Sequence, residues 1–202
     1  MKKLIAIVVV FFIAGSSFAQ ITGSAHDFSG ATWNASGEIC IVCHTPHNAE
    51  AVANAPLWNH EIDNTTTYTV YSSNTMDATV ANPPDGGSKL CLSCHDGAVA
   101  LDNFGGATGG TNFISTGLLG TDLSNDHPVS FTYDDVLAGD DGGLADPLTV
   151  NSGLGGTIDE DMLKGGKLQC SSCHDAHNAA GLTGLLLKSN AASDLCLTCH
   201  IK

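Results

Sequence analysis

Every cysteine in the sequence belongs to a Cys-x-x-Cys pair, and a histidine follows each pair at once. The four sites are Cys40-Ile41-Val42-Cys43-His44, Cys91-Leu92-Ser93-Cys94-His95, Cys170-Ser171-Ser172-Cys173-His174 and Cys196-Leu197-Thr198-Cys199-His200. Two thiols about one helical turn apart can bond the two vinyl groups on one edge of a porphyrin. The next residue then sets an imidazole nitrogen under the iron as proximal ligand. Cys-x-x-Cys-His is the sequence that attaches c-type haem. Other uses of paired cysteines explain the pattern less well. Zinc accepts Cys-x-x-Cys but does not require a histidine straight after each pair. A thioredoxin-like redox motif is normally single and sits on a strand–helix unit, which this sequence lacks. Four disulfides are the default reading of eight cysteines in an exported chain, and they leave the histidines unexplained. The spacing therefore predicts four haem c groups, held at Cys40, Cys43, Cys91, Cys94, Cys170, Cys173, Cys196 and Cys199.

The sites form a doubled unit. Cys40 to Ala49 reads CIVCHTPHNA and Cys170 to Ala179 reads CSSCHDAHNA. Likewise Leu90 to His95 matches Leu195 to His200. The two sites of a unit are 51 residues apart in the first and 26 in the second. So irregular a period points to duplicated haem pairs rather than a stacked solenoid.

Nine histidines are present. His44, His95, His174 and His200 are proximal, which leaves His26, His47, His60, His127 and His177. Four haems with two imidazoles each need four of these. Each unit has a histidine upstream of its first site, His26 or His127. Each has another three residues after the proximal one, His47 or His177. These four are the expected distal ligands. His60 has no counterpart in the second unit, so it is the expected spare, with its ring at the surface. Residues three apart on a helical turn face the same side. His47 should therefore serve a different haem from His44, and His177 a different one from His174. The pairing of distal ligands with haems stays open.

Two imidazoles on every iron leave no open coordination position, so the expected chemistry is outer-sphere electron transfer and not catalysis. Histidine pairs also give lower potentials than His/Met ligation. Met1, Met76 and Met162 show no pattern that suggests iron binding.

The elements that must hold these sites are sparse. Aromatic residues make up 6% of the chain, and there are 23 glycines. Segments 105–110 and 139–156 read as loops, and 82–87 as a turn or linker. Residues 65–71 alternate weakly and suggest a short strand. Short helices are expected around the attachment sites, one near 193–199 with Ser193 as its cap. The fold class expected is mostly irregular coil with short helices and minimal strand. At about 46 residues per haem, the porphyrins themselves would form the core.

The first residues read as a secretory signal: Lys2 and Lys3, an apolar run from Leu4 to Ala14, then Ser17-Phe18-Ala19. The run has 11 residues, short of the roughly 20 that span a bilayer. Residues 1–19 are expected to be removed, leaving one domain, 20–202, built from units of about 20–105 and 120–202. That mature chain has five lysines, no arginine and 21 acidic residues, a net charge of −16. Such a surface repels nucleic acid and anionic lipid. Secretion, to the cell surface or beyond, is expected, with the periplasm as the alternative.

The order CxxCHTPHNA, Pro56-Leu57-Trp58-Asn59, CLSCHDG, Asp126-His127-Pro128-Val129, CxxCHDxH and CLTCH resembles the doubled-CXXCH multihaem cytochromes. More narrowly it resembles the extracellular tetrahaem cytochromes of metal-reducing bacteria that polymerise into filaments. The resemblance spans nearly the whole mature chain. It implies a loop-built subunit with bis-histidine haems in alternating parallel and T-shaped pairs. It also implies head-to-tail stacking of identical subunits, a heterologous interface that does not close. Redox proteins or extracellular acceptors would be the partners. In similar filaments one subunit's histidine can complete a neighbour's haem, a role in which His26, or else His60, would serve. A soluble periplasmic carrier and a multihaem reductase with one open iron are the rival readings.

Overall fold

The computed structural model describes residues 20–201. Residues 1–19, expected to be a secretory signal, lie outside the described residues. Most of the chain is coil. Four short helices are present among the described residues: α1 (Gly86–His95), α2 (Asp135–Asp141), α3 (Ile158–Asp161) and α4 (Asp194–Cys199). Four two-residue strands pair in two ribbons. Strands β1 (Thr69–Val70) and β2 (Asp122–Leu123) run parallel, with Thr69 opposite Asp122. Strands β3 (Phe131–Thr132) and β4 (Lys167–Leu168) run antiparallel, with Phe131 opposite Leu168. No helix is long and apolar enough among the described residues to cross a membrane.

Three of the four attachment sites sit on helical turns. The second occupies the C-terminal half of α1, and the fourth lies on α4. The third starts a 3-10 turn, Cys170–Ser172. The first is a non-helical turn, yet it closes in the same way as the third. The His44 N–H donates to Cys40 O at 2.9 Å, and the His174 N–H donates to Cys170 O at 3.0 Å. The doubling continues past the motifs. His44 bridges Trp58 antiparallel, and His174 bridges Leu186 in the same sense. The sequence repeat is thus a structural repeat, with a returning strand-like segment beside each proximal histidine.

A small apolar core lies in the second unit. Phe131, Tyr133, Ala138, Ala145, Ile158, Met162, Leu163, Leu168 and Leu195 bury one another, and Met76 packs at its edge. Burial of these side chains drives the second half together, so this part of the chain has a protein core of its own besides any haem. Met162 fills that core.

Local structure departs from the sequence reading at three places. The stretch 139–156, read as loop, begins inside α2. The Asp134 carboxylate caps that helix by accepting from the Leu137 N–H, and Gly142, at φ 65°, ends it. A helix of seven residues is too short to announce itself by periodicity. The strand expected over 65–71 contracts to Thr69–Val70. Ser193 stands at the start of α4 but in the left-handed region, φ 65°, and its side chain caps nothing. Asn190 does that work instead: its Oδ1 accepts from the Leu195 N–H at 3.2 Å. Segment 82–87 bends at Asn82 and Pro83, as expected of a turn, before α1 begins at Gly86, and the Asn82–Pro83 bond is cis.

Candidate haem-binding sites

All eight cysteines are free thiols. Cys94 and Cys91 lie near Cys43, and Cys91 and Cys170 lie close enough to couple electrostatically. The Cys170 N–H donates to the hydroxyl of Ser88, on the helix that carries Cys91, at 3.0 Å. Cys173 lies near Cys199 and Cys196. The second and third sites therefore adjoin across the two units. Burial pushes the Cys43 thiol up to about 11, Cys94 up to about 12 and Cys173 up to about 11. Coupling between Cys91 and Cys170 raises the first and lowers the second. Thiols so shielded from water suit an apolar partner better than a charged thiolate state.

Six histidine rings come together in three pairs. His26 and His95 have ring centroids 6.1 Å apart and planes at 78°. His44 and His177 are 6.1 Å apart at 12°. His127 and His200 are 6.3 Å apart at 69°. Rings in direct parallel contact would lie closer than this. Two imidazoles on opposite sides of one metal have centroids about 6.3 Å apart, from two metal–nitrogen bonds of about 2 Å and about 1.1 Å from each nitrogen to its ring centre. The observed spacings match that figure in all three pairs. Each pair joins one proximal to one expected distal histidine. His177 lies beside His44 and not beside its own motif's His174. His174 and His47 are both exposed and do not meet another ring in this way.

Hydrogen bonding fixes which nitrogen each ring can offer. His95 Nδ1 bonds Gly117 O at 2.6 Å, and His174 Nδ1 bonds Gly184 O at 2.8 Å. His127 Nδ1 bonds Pro128 O at 2.9 Å, and His26 Nδ1 bonds Ala176 O at 3.3 Å. His177 Nδ1 lies 3.5 Å from Asp175 Oδ1. A carbonyl or carboxylate at Nδ1 holds the proton there and leaves the Nε2 lone pair for a metal. For His26, burial further lowers the pKa, and the Ala176 carbonyl partly offsets it; the neutral, ligating form is favoured.

His60 differs on both counts. It is not a surface residue as the sequence suggested, but 0% exposed. Its Nδ1 lies 2.9 Å from Glu61 O and its Nε2 3.0 Å from Ala100 O. Both nitrogens face protein groups, Nε2 also lying 3.5 Å from Cys94 Sγ; a neutral ring carries one N–H and donates to only one of the two carbonyls. Burial lowers its pKa against the opposing pull of the two carbonyls.

Other features fit porphyrins at these places. The Trp58 ring stands edge-on to His44 at 6.2 Å, and its indole N–H is buried with no acceptor. A carboxylate carried by the cofactor would satisfy it. Val70, Val80, Leu92, Leu123 and Val129 line an apolar cleft that opens beside His127 and Cys170. Leu197 and Ile201 flank His200 and are exposed, 49% and 62%. Such apolar surface is what a flat hydrophobic ring would cover. No cluster of three His, Cys, Asp or Glu side chains suited to a protein-only metal site occurs among the described residues.

Sequence reasoning missed the groups that aim the ligands. The carbonyls of Gly117, Gly184, Ala176 and Pro128 carry no residue-type signal, since every residue has a carbonyl. Tyr133, 1% exposed, donates its hydroxyl to Ala145 O at 2.6 Å and lies 3.4 Å from Cys199 O. It anchors the fourth site from the core.

The family model described as Doubled CXXCH motif matches residues 162–202, which hold the third and fourth sites. No curated protein matches the chain. The doubled motif supports a multihaem c-type cytochrome, with covalently bound haem c, that works in electron transfer.

Proposed function

We propose that the chain binds four haem c groups, each closed by two histidines, and conducts electrons along the row they form. The observation that carries this reading is the spacing of 6.1–6.3 Å in three proximal–distal pairs, each matching two imidazoles trans on one iron. Cys40 and Cys43 would hold the haem ligated by His44 and His177. Cys91 and Cys94 would hold that of His95 and His26, and Cys196 and Cys199 that of His200 and His127. Cys170 and Cys173 would hold the remaining haem on His174, with His47 as its second ligand. When bound, haem supplies a one-electron couple at iron. The chain's part would be to offer two histidines to each iron, to keep Nε2 free through the Nδ1 bonds, and to set the distance between neighbouring haems.

We further propose that the protein is secreted and stacks head to tail with identical subunits as an extracellular filament. The N-terminal signal pattern and the resemblance of motif order, haem number and size support this. The reading is tested on native secreted material. Electron microscopy is expected to show haem-rich fibres. Dispersed single subunits in the periplasmic fraction would favour a soluble carrier instead. Carbon monoxide binding to the native reduced protein would point to an open iron and a reductase.

A further inference from the structure

The two units meet at a buried polar knot beside the middle two sites. Gln169 is 2% exposed, and Ser88 and Ser130 are as deeply buried. Gln169 Oε1 accepts from the Ser88 N–H at 3.0 Å and from the Ser130 hydroxyl at 3.3 Å. Its Nε2 donates to Asp85 Oδ1 at 3.1 Å. Ser88 completes the tie, since its hydroxyl accepts from the Cys170 N–H at 3.0 Å. The first turn of α1 is thereby bonded both to Gln169 and to the first cysteine of the third site. Gly86 allows the approach: it sits at φ 52°, and a Cβ there would stand 2.9 Å from Gln169 Nε2.

An apolar side chain could fill this space. A buried amide instead demands partners in fixed directions, and a fully satisfied network defines one arrangement of its neighbours. What it fixes here is the approach of α1, which carries Cys91, to the turn that begins at Cys170. Bonded to haem, Cys91 and Cys170 would each hold one porphyrin, one from each unit.

We propose that Gln169 is a positioning residue for electron crossing between the second and third haems. It acts through Ser88 and the Cys170 backbone, and it touches neither iron. The inference rests on the four-haem reading. In the step concerned, one electron leaves ferrous iron at the second site and reduces ferric iron at the third. No atom or proton is transferred.

The test uses the haem-loaded full protein and two variants, Gln169→Leu and Ser88→Ala. Haem number is checked by mass, and axial ligation by the low-spin absorption spectrum. Two readouts follow. Soret circular dichroism reports the mutual geometry of neighbouring haems, and proton NMR of partly reduced protein reports intramolecular electron exchange. Both variants are expected to keep four low-spin haems and to lose one exciton component. Averaging of haem methyl lines should persist within each unit and be lost between units. Should Gln169→Leu fail to fold, Ser88→Ala, which removes one bond, decides the question. Lower stability with dichroism and exchange unchanged would overturn the proposal, because the knot would then be structural only. A wild type with fewer than four haems would instead overturn the reading beneath it.

Discussion

The rings of His44 and His177, from opposite units of the chain, lie nearly parallel with centroids 6.1 Å apart. Neither local sequence nor helical periodicity brings them together. On the proposed assignment, removing His177 opens one iron, that of the first site. His177→Ala is expected to keep four attached haems and to show one high-spin haem in the oxidised protein. Electron paramagnetic resonance checks this, and an unchanged low-spin spectrum would refute the pairing.

His60 gives the opposite expectation. Its two ring nitrogens face the Glu61 and Ala100 carbonyls, one of which takes the ring's single N–H. His60→Ala should leave the haem spectrum untouched. It should cost about 2–4 kcal/mol of stability, from the cavity and from one buried carbonyl left unpaired. Denaturant unfolding followed by circular dichroism measures the loss. A new high-spin species would instead make His60 a ligand.

The same residue predicts a pH dependence. Burial depresses the His60 pKa below its ordinary 6.5. The unfolded chain then binds a proton more readily than the folded one, so folding is favoured above about 6.5 and loses that contribution as pH falls through the folded value. Unfolding curves at stepped pH should show stability declining below that point, and less steeply in His60→Phe. Equal slopes in the two proteins would remove His60 from the acid response.

Tyr133→Phe deletes a buried hydroxyl bonded to Ala145 O and close to Cys199 O. The ring stays and one good hydrogen bond is lost, which leaves the Ala145 carbonyl without that donor. The expected cost is about 1–2 kcal/mol, read in thermal unfolding, with haem number unchanged. No loss of stability would show that the hydroxyl does not anchor the fourth site.

The attachment chemistry was legible in the sequence because thiols and imidazoles are identified by residue type and fixed spacing. The coil-dominated fold followed from glycine content and scarce periodicity. Less legible were the short helices. Those over 135–141 and 158–161 depend on single caps, Asp134 and Thr157, more than on an apolar face. That one of the five remaining histidines would be spare followed from counting, but the burial of His60 did not, because nothing in residues 56–61 signals which carbonyls will surround it. The Gln169 knot was invisible for a similar reason. Its partners lie more than 30 residues away, and each is an ordinary serine, aspartate or backbone amide.

The central claim is that porphyrin is bonded at every thiol pair. Intact mass of the purified protein after removal of any loosely held haem tests it most directly. The account predicts the polypeptide plus four haem masses in a single species. A mass of bare polypeptide, or one that leaves thiols bridged to each other or holding zinc, would contradict it.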